Sequence, residues 1–201
     1  ELEAALVIRD AKPQDVAERL AALTCLGDYR LRPQPEKLIH DIYLDTPEAA
    51  LASRLLSLRL REVNGVFKLT LKGESGQGNV DLKTRRELEP DWTDGALPLI
   101  AAELQSYGVY LLNGIVTNEA APLDTLRGQG LVVIQDRTTR RILREVSGHP
   151  PVGAELVEGS MSRDLRRTCG PVAELAIDAV VYRLEREIRH YEVEIELAAG
   201  E

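Results

Sequence analysis

No apolar run in this 201-residue chain approaches the roughly 20 residues that a membrane-spanning helix needs, so no membrane association is expected. A basic stretch followed by an apolar one, the mark of a secretory leader, is missing too, although the chain opens on Glu1 rather than Met. Only two cysteines occur, Cys25 and Cys169, in no metal-ligating spacing. Free thiols in a reducing cytoplasm are the expected state. His40, His149 and His190 form no spaced pair, which argues against zinc. A net charge of -8 argues against non-specific binding of nucleic acid. A local anion site remains open, because a few arginines in a closed cavity outweigh a distant acidic surface. No internal repeat and no low-complexity linker is present, so one domain over 1–201 is the expectation.

Several segments alternate apolar with polar residues, the pattern of a half-buried strand. They are 1–7, 38–44, 56–63, 66–72, 82–89, 131–143, 172–182 and 188–197. Asn64-Gly65 between two of them is a strong hairpin signal of the type I′ kind. Helices are short. Pro13 starts one over 13–23, with Val16, Leu20 and Leu23 on one face. Thr46 as cap and Pro47 at the first position predict another to about Leu55. Asp94 opens a third, stopped by Gly108. Residues 147–171 are the least regular stretch.

Side chains two apart on a strand share a face. Glu1 with Glu3, Arg59 with Arg61, and Thr70 with Lys72 group in this way. So do Lys83, Arg85, Glu87 and Glu89; Gln135, Arg137 and Arg141; Glu174 and Asp178; and Glu192, Glu194 and Glu196. For any single strand the ordinary reading is a solvated face. The set resists it. Glu192, Glu194 and Glu196 place like charges side by side, which repel unless a cation sits among them. Leu58 and Leu60 alternate with the arginines, and Val193, Ile195 and Leu197 with the glutamates. Helices covering the apolar face would leave the ionic face lining the lumen of a barrel of about eight strands. A polyphosphate with magnesium matches such a lumen, giving oxygens to the cations and metal to the carboxylates.

In this order the strands resemble the CYTH family, the triphosphate tunnel metalloenzymes, which include inorganic triphosphatases, thiamine triphosphatases and class IV adenylate cyclases. The opening Glu-x-Glu-x-Lys strand is similar to Glu1-Leu2-Glu3-Ala4-Ala5, and Tyr-x-Asp-Thr to Tyr43-Leu44-Asp45-Thr46. Leu58-Arg59-Leu60-Arg61, Thr70-Leu71-Lys72 and Arg85-Arg86-Glu87-Leu88-Glu89 follow. Gln135 to Arg141, Glu174-Leu175-Ala176-Ile177-Asp178 and Glu192-Val193-Glu194-Ile195-Glu196-Leu197 complete the series. The ending looks most like the inorganic triphosphatase branch. The resemblance implies an α+β, mainly β fold: a closed antiparallel eight-stranded β-barrel with a charged lumen and a few short helices outside.

It also implies roles. Arg59, Arg61, Lys72, Arg85, Arg137 and Arg141 would hold phosphate, with Arg140 as the alternative to Arg137. Glu1, Glu3, Asp178, Glu192, Glu194 and Glu196 would hold Mg2+ or Mn2+. Glu3, Glu87 and Lys72 would serve catalysis. The implied partner is a small-molecule triphosphate or polyphosphate, and a homodimer is among the assemblies allowed. One departure stands out: Ala5 occupies the place of the family's lysine. Hydrolysis of a triphosphate is the first reading. Ala5 motivates a second, a non-catalytic polyphosphate-binding module, and a class IV adenylate cyclase is the third.

Overall fold

The computed structural model describes residues 3–74, 85–112, 118–148, 171–183 and 186–198. The strands are β1 (Glu3–Val7), β2 (Cys25–Leu26), β3 (Tyr29–Pro33), β4 (Lys37–Asp45), β5 (Ser57–Val63), β6 (Val66–Glu74), β7 (Arg85–Leu88), β8 (Val132–Gly148), β9 (Pro171–Arg183) and β10 (Glu187–Leu197). The helices are α1 (Pro13–Ala21), α2 (Ala96–Ser106) and α3 (Pro122–Gly128). Two compact units result. One holds Glu1–Leu38, Thr139–Val181 and Ile188–Glu201; the other holds Ile39–Thr138 and Tyr182–Glu187.

In the second unit the strand order is β8-β4-β5-β6-β7. The β5–β6 hairpin turns at Asn64 and Gly65, whose φ values of 53° and 82° are both left-handed. That is the type I′ geometry, whose twist suits the flanking strands. The turn sets Val63 against Val66, and every later pair follows. Leu58 faces Leu71 and Leu60 faces Leu69, while Arg59 faces Thr70 and Arg61 faces Lys68. β4 extends both faces, with Ile42 and Leu44 beside the leucines and Asp41 and Tyr43 beside the arginines. A slip of one residue would exchange the two faces, so the alternation specifies this pairing. The leucine face packs with Leu97, Ile100 and Leu104 of α2 and with Leu51, Trp92, Leu126 and Leu131. Each such leucine stabilises the fold by about 1.5–3 kcal/mol on burial.

The first unit repeats the logic. Its strand order is β1-β10-β9-β8, with β3 on β8 and β2 on β3. Ala173, Leu175 and Ile177 of β9 pack with Leu31, Val146 and Ala17 of α1, and Val193 and Ile195 join them. Asp178 lies on the other face of β9. The helix buries Ala17 and Ala21, with Leu20 half-buried, while Leu23 lies past its end and is exposed. The small alanines allow close approach to the sheet, so the stripe expected at Val16, Leu20 and Leu23 is rotated.

The mainly β, antiparallel reading with short helices holds. Among the described residues ten strands are present rather than eight: β2 is only two residues long, and the short alternation of β3, Tyr29-Arg30-Leu31-Arg32-Pro33, is not among the segments expected from the sequence. Among the described residues no backbone pairing joins β1 to β7, so hydrogen bonds do not close the sheet there. The helix expected over 47–55 is instead a series of turns ending in a short 3-10 segment, Ala52–Arg54. The reason is Asp45. Its buried carboxylate accepts from the backbone N–H of Thr46 (2.7 Å), Leu51 (2.8 Å) and Ala52 (3.0 Å). Donors bound to a side chain are withdrawn from an α-helical ladder. Asp45→Ala is expected to lower the free energy of unfolding by about 2–3 kcal/mol, because it orphans buried donors. Urea denaturation measures this, and a change below about 0.5 kcal/mol would contradict the capping role.

Candidate functional site

The ionic face of the second unit centres on Asp41, 1% exposed. Arg61 donates to it from Nε to Oδ1 at 2.7 Å and from Nη2 to Oδ2 at 3.0 Å. Arg137 donates to Oδ2 from Nε at 3.2 Å and from Nη2 at 3.0 Å. Arg59 Nε lies 3.8 Å from Oδ1, too far for a hydrogen bond. That buried Nε has no hydrogen-bond partner. Three guanidinium groups thus meet one carboxylate. Strand pairing explains the meeting: Asp41 is directly opposite Arg61, and Tyr43 is opposite Arg59. The Tyr43 ring lies under Arg137, 5.4 Å from its centroid, which adds a cation–π attraction.

The same face continues into matched pairs. Arg59 Nη2 donates to Thr70 Oγ1 at 3.2 Å and to Glu89 Oε2 at 3.3 Å. Lys68 Nζ donates to Glu89 Oε1 at 3.3 Å. Lys72 and Glu87, adjacent across β6 and β7, form an ion pair at 3.1 Å. Among the described residues the excess of positive charge on this face therefore gathers at Arg59, Arg61 and Arg137.

Burial pushes the Asp41 carboxyl up, but the Arg61 hydrogen bond and the charges of Arg61, Arg59 and Arg137 outweigh it and hold the group below its ordinary 3.8. Glu89 behaves alike. Burial raises it, and bonds from Thr70 and Lys68 with the charges of Lys68 and Arg59 bring it below its ordinary 4.5. A carboxylate depressed in the folded state stabilises the fold fully above its unfolded pKa. That contribution is lost as pH falls through the folded pKa. The thermal midpoint is therefore expected to hold from pH 7 to about 5 and to drop below about 4. A midpoint unchanged at pH 3 would contradict the pairing.

The ionic face of the first unit carries the acids. Arg141 Nε donates to Asp178 Oδ1 at 2.9 Å, and its Nη2 donates to Asp178 Oδ2 at 2.6 Å and Glu194 Oε2 at 2.5 Å. Burial lowers the Arg141 pKa, but bonding to Asp178 and the charges of Asp178 and Glu194 raise it well beyond the ordinary arginine value. Oxygens of Asp178, Glu192 and Glu194 lie within 4.8 Å of one another. His190 Nε2 is 3.1 Å from Glu192 Oε2. A hard divalent ion binds carboxylate oxygens at about 2.0–2.6 Å, and this all-oxygen set could hold such an ion. Asp178 is 1% exposed, while Glu192 and Glu194 are half-buried.

The structure thus brings Arg59, Arg61 and Arg137 together in one unit, with Lys72 and Glu87 paired on the same face. It brings Arg141, Asp178, Glu192 and Glu194 together in the other. Glu196 is exposed and lies outside the acidic group. Arg140 is exposed and donates to Glu36 at 2.9 Å, whereas Arg137 donates to buried Asp41. Glu1 lies outside the described residues, as do the side chains of Glu3 and Arg85. Asp41 and Glu89, which the sequence reading did not place among the candidate site residues, are the carboxylate partners of these cations. The signal for Asp41 was there: a lone acid two positions before Tyr43, on the arginine side of the alternation.

A family model for the CYTH domain matches residues 11–201. No curated protein matches the chain. Among solved structures it is similar to the Hippeastrum protein HpAC1, a candidate adenylyl cyclase described as revealing a dominant triphosphatase activity. Identity is 16%, with 96% of this chain and 77% of that one covered and a TM-score of 0.53. It is also similar to a candidate adenylate cyclase of Bacillus halodurans, at 17% identity over 100% of this chain and 81% of that one, TM-score 0.46. At such identities the likeness to HpAC1 speaks for the fold alone.

Proposed function

The chain belongs to the CYTH family, and from that premise we propose that it hydrolyses a triphosphate, inorganic or small organic, with a divalent metal ion. The observation that carries this reading is the burial of the ionic faces. Arg59 and Asp178 are 8% and 1% exposed, although solvated strands would leave such residues in water. Charges withdrawn from solvent are costly unless they serve structure or a ligand.

Arg59, Arg61 and Arg137 bind phosphate oxygens, and planar guanidinium groups suit this because one group can grip two oxygens. Arg141 and Lys72 add charge on their own faces. Asp178, Glu192 and Glu194 are the candidate metal ligands, and Mg2+ or Mn2+ held there would supply positive charge on that unit's own ionic face. By the family resemblance Glu87 and Glu3, each in its own unit, are the candidate catalytic carboxylates, and catalysis would come mostly from position and charge neutralisation. Phosphate release from inorganic triphosphate with Mg2+ or Mn2+ tests the reading. Tight binding without release would replace it with the binding module, and cyclic AMP from ATP with a cyclase.

The binding module is favoured by one observation. Ala5 stands directly opposite Glu194 across β1 and β10, so position 5 of β1 adds no cation there beyond Arg141 of β8. Ala5→Lys would put an ammonium group beside Glu194. It is expected to raise turnover of inorganic triphosphate by about tenfold, the scale of one added charged donor at an exposed edge strand. Unchanged turnover would mean that the site works without that cation.

A further inference from the structure

We propose that Asp41 is a positioning residue that locks Arg61 and Arg137 into the geometry in which they bind phosphate. This rests on the reading of the arginine cluster as a phosphate site and deepens it. The carboxylate touches neither solvent nor any group that could replace it: it is 1% exposed and lies among Arg59, Arg61 and Arg137. Arg61 and Arg137 both turn the same edge, Nε with Nη2, toward it. Each guanidinium has five N–H donors in a rigid plane. Fixing one edge fixes the direction of the donors that remain.

Arg59 is held differently, from Thr70 and Glu89. Its Nε is buried and has no hydrogen-bond partner. Without Asp41, three like charges would splay to reduce repulsion, and the array would have to be reassembled by each incoming phosphate. Asp41 also reduces the cluster's formal charge by one, and this makes the sign of its effect diagnostic. If charge alone mattered, removing an anion from an anion site would tighten binding. If Asp41 served only to hold the fold, the folded fraction would bind as before. Positioning alone predicts weaker binding on loss of a negative charge.

The test is calorimetric titration of inorganic triphosphate, with Mg2+ present, into the wild type and Asp41→Asn. The dissociation constant is expected to rise by about tenfold or more, the scale of a misplaced binding group. An unchanged or smaller constant overturns the proposal. Because Asp41→Asn leaves buried arginines uncompensated, Arg61→Gln and the double variant Asp41→Asn/Arg61→Gln are measured as well. The double variant carries the formal charge of the wild type. Weaker binding than Arg61→Gln alone supports positioning of Arg137, while equal or tighter binding overturns it. If the wild type binds but does not hydrolyse, the hydrolase reading fails and this inference stands. If the wild type does not bind, both fail.

Discussion

Arg59→Ala is expected to weaken binding of inorganic triphosphate by about 100-fold or more, whereas Arg32→Ala leaves it within about twofold. Arg59 sits at the junction of two clusters, 3.8 Å from Asp41 and 3.3 Å from Glu89. Its side chain is 10% exposed, so its charge acts through a poorly screened environment. Truncation removes a cation, a planar donor fork and the link between the Asp41 and Glu89 groups. It also leaves both carboxylates with one partner fewer, which reduces the field that attracts an anion. Arg32 carries the same charge but is 57% exposed, with Glu145 at 3.7 Å, where water and salt screen it. Calorimetry on both variants, with thermal melts to establish folding, is the measurement. Equal effects would mean that general charge, rather than this cluster, binds the ligand. Arg59→Lys separates charge from geometry, and a result midway between wild type and alanine is expected, because an ammonium group lacks the fork.

Much of this site was legible in the alternation. The period of two assigned Arg59 and Arg61 to one face and Leu58 and Leu60 to the other, and strand pairing kept that assignment. The same rule placed Asp178, Glu192 and Glu194 away from Ile177, Val193 and Ile195, which pack into the apolar cluster. Asn64-Gly65 fixed the hairpin because left-handed φ at two successive positions is a local property of those residue types. What stayed hidden was set by contacts distant in sequence. Asp41 and Arg137 are 96 residues apart, and no local pattern announces that one carboxylate will gather three guanidinium groups. The helix expected after Thr46 failed for a related reason: cap and proline signals were present, but Asp45 competes for the donors that a helix would use. α3 was overlooked because seven residues are too few to display a period.

The second large effect concerns the acids. Asp178→Asn is expected to lower Mn2+ affinity by about 100-fold, while Glu196→Gln changes it by less than about threefold. Asp178 is the most buried of the three clustered carboxylates, and it shares Arg141 with Glu194. Neutralising it has two consequences. The ion loses one anionic ligand, and Arg141 keeps a single strong carboxylate partner, Glu194, to which it then binds more firmly. Metal must compete with Arg141 for that carboxylate, so the loss exceeds what one ligand alone would cause. Glu196 lies toward the exposed end of β10 opposite Glu3, outside the cluster, and takes no part in this competition. Mn2+ binding followed by electron paramagnetic resonance reads affinity without relying on turnover. The rise in thermal midpoint at saturating Mn2+ gives a second measure, because a ligand that binds the folded state alone stabilises it in proportion to the logarithm of its concentration over Kd. Loss of that rise in Asp178→Asn with its retention in Glu196→Gln is the expected pair of results. The reverse pair would move the metal toward β1 and the outer end of β10, and the carboxylates around Arg141 would then be a structural ion-pair network.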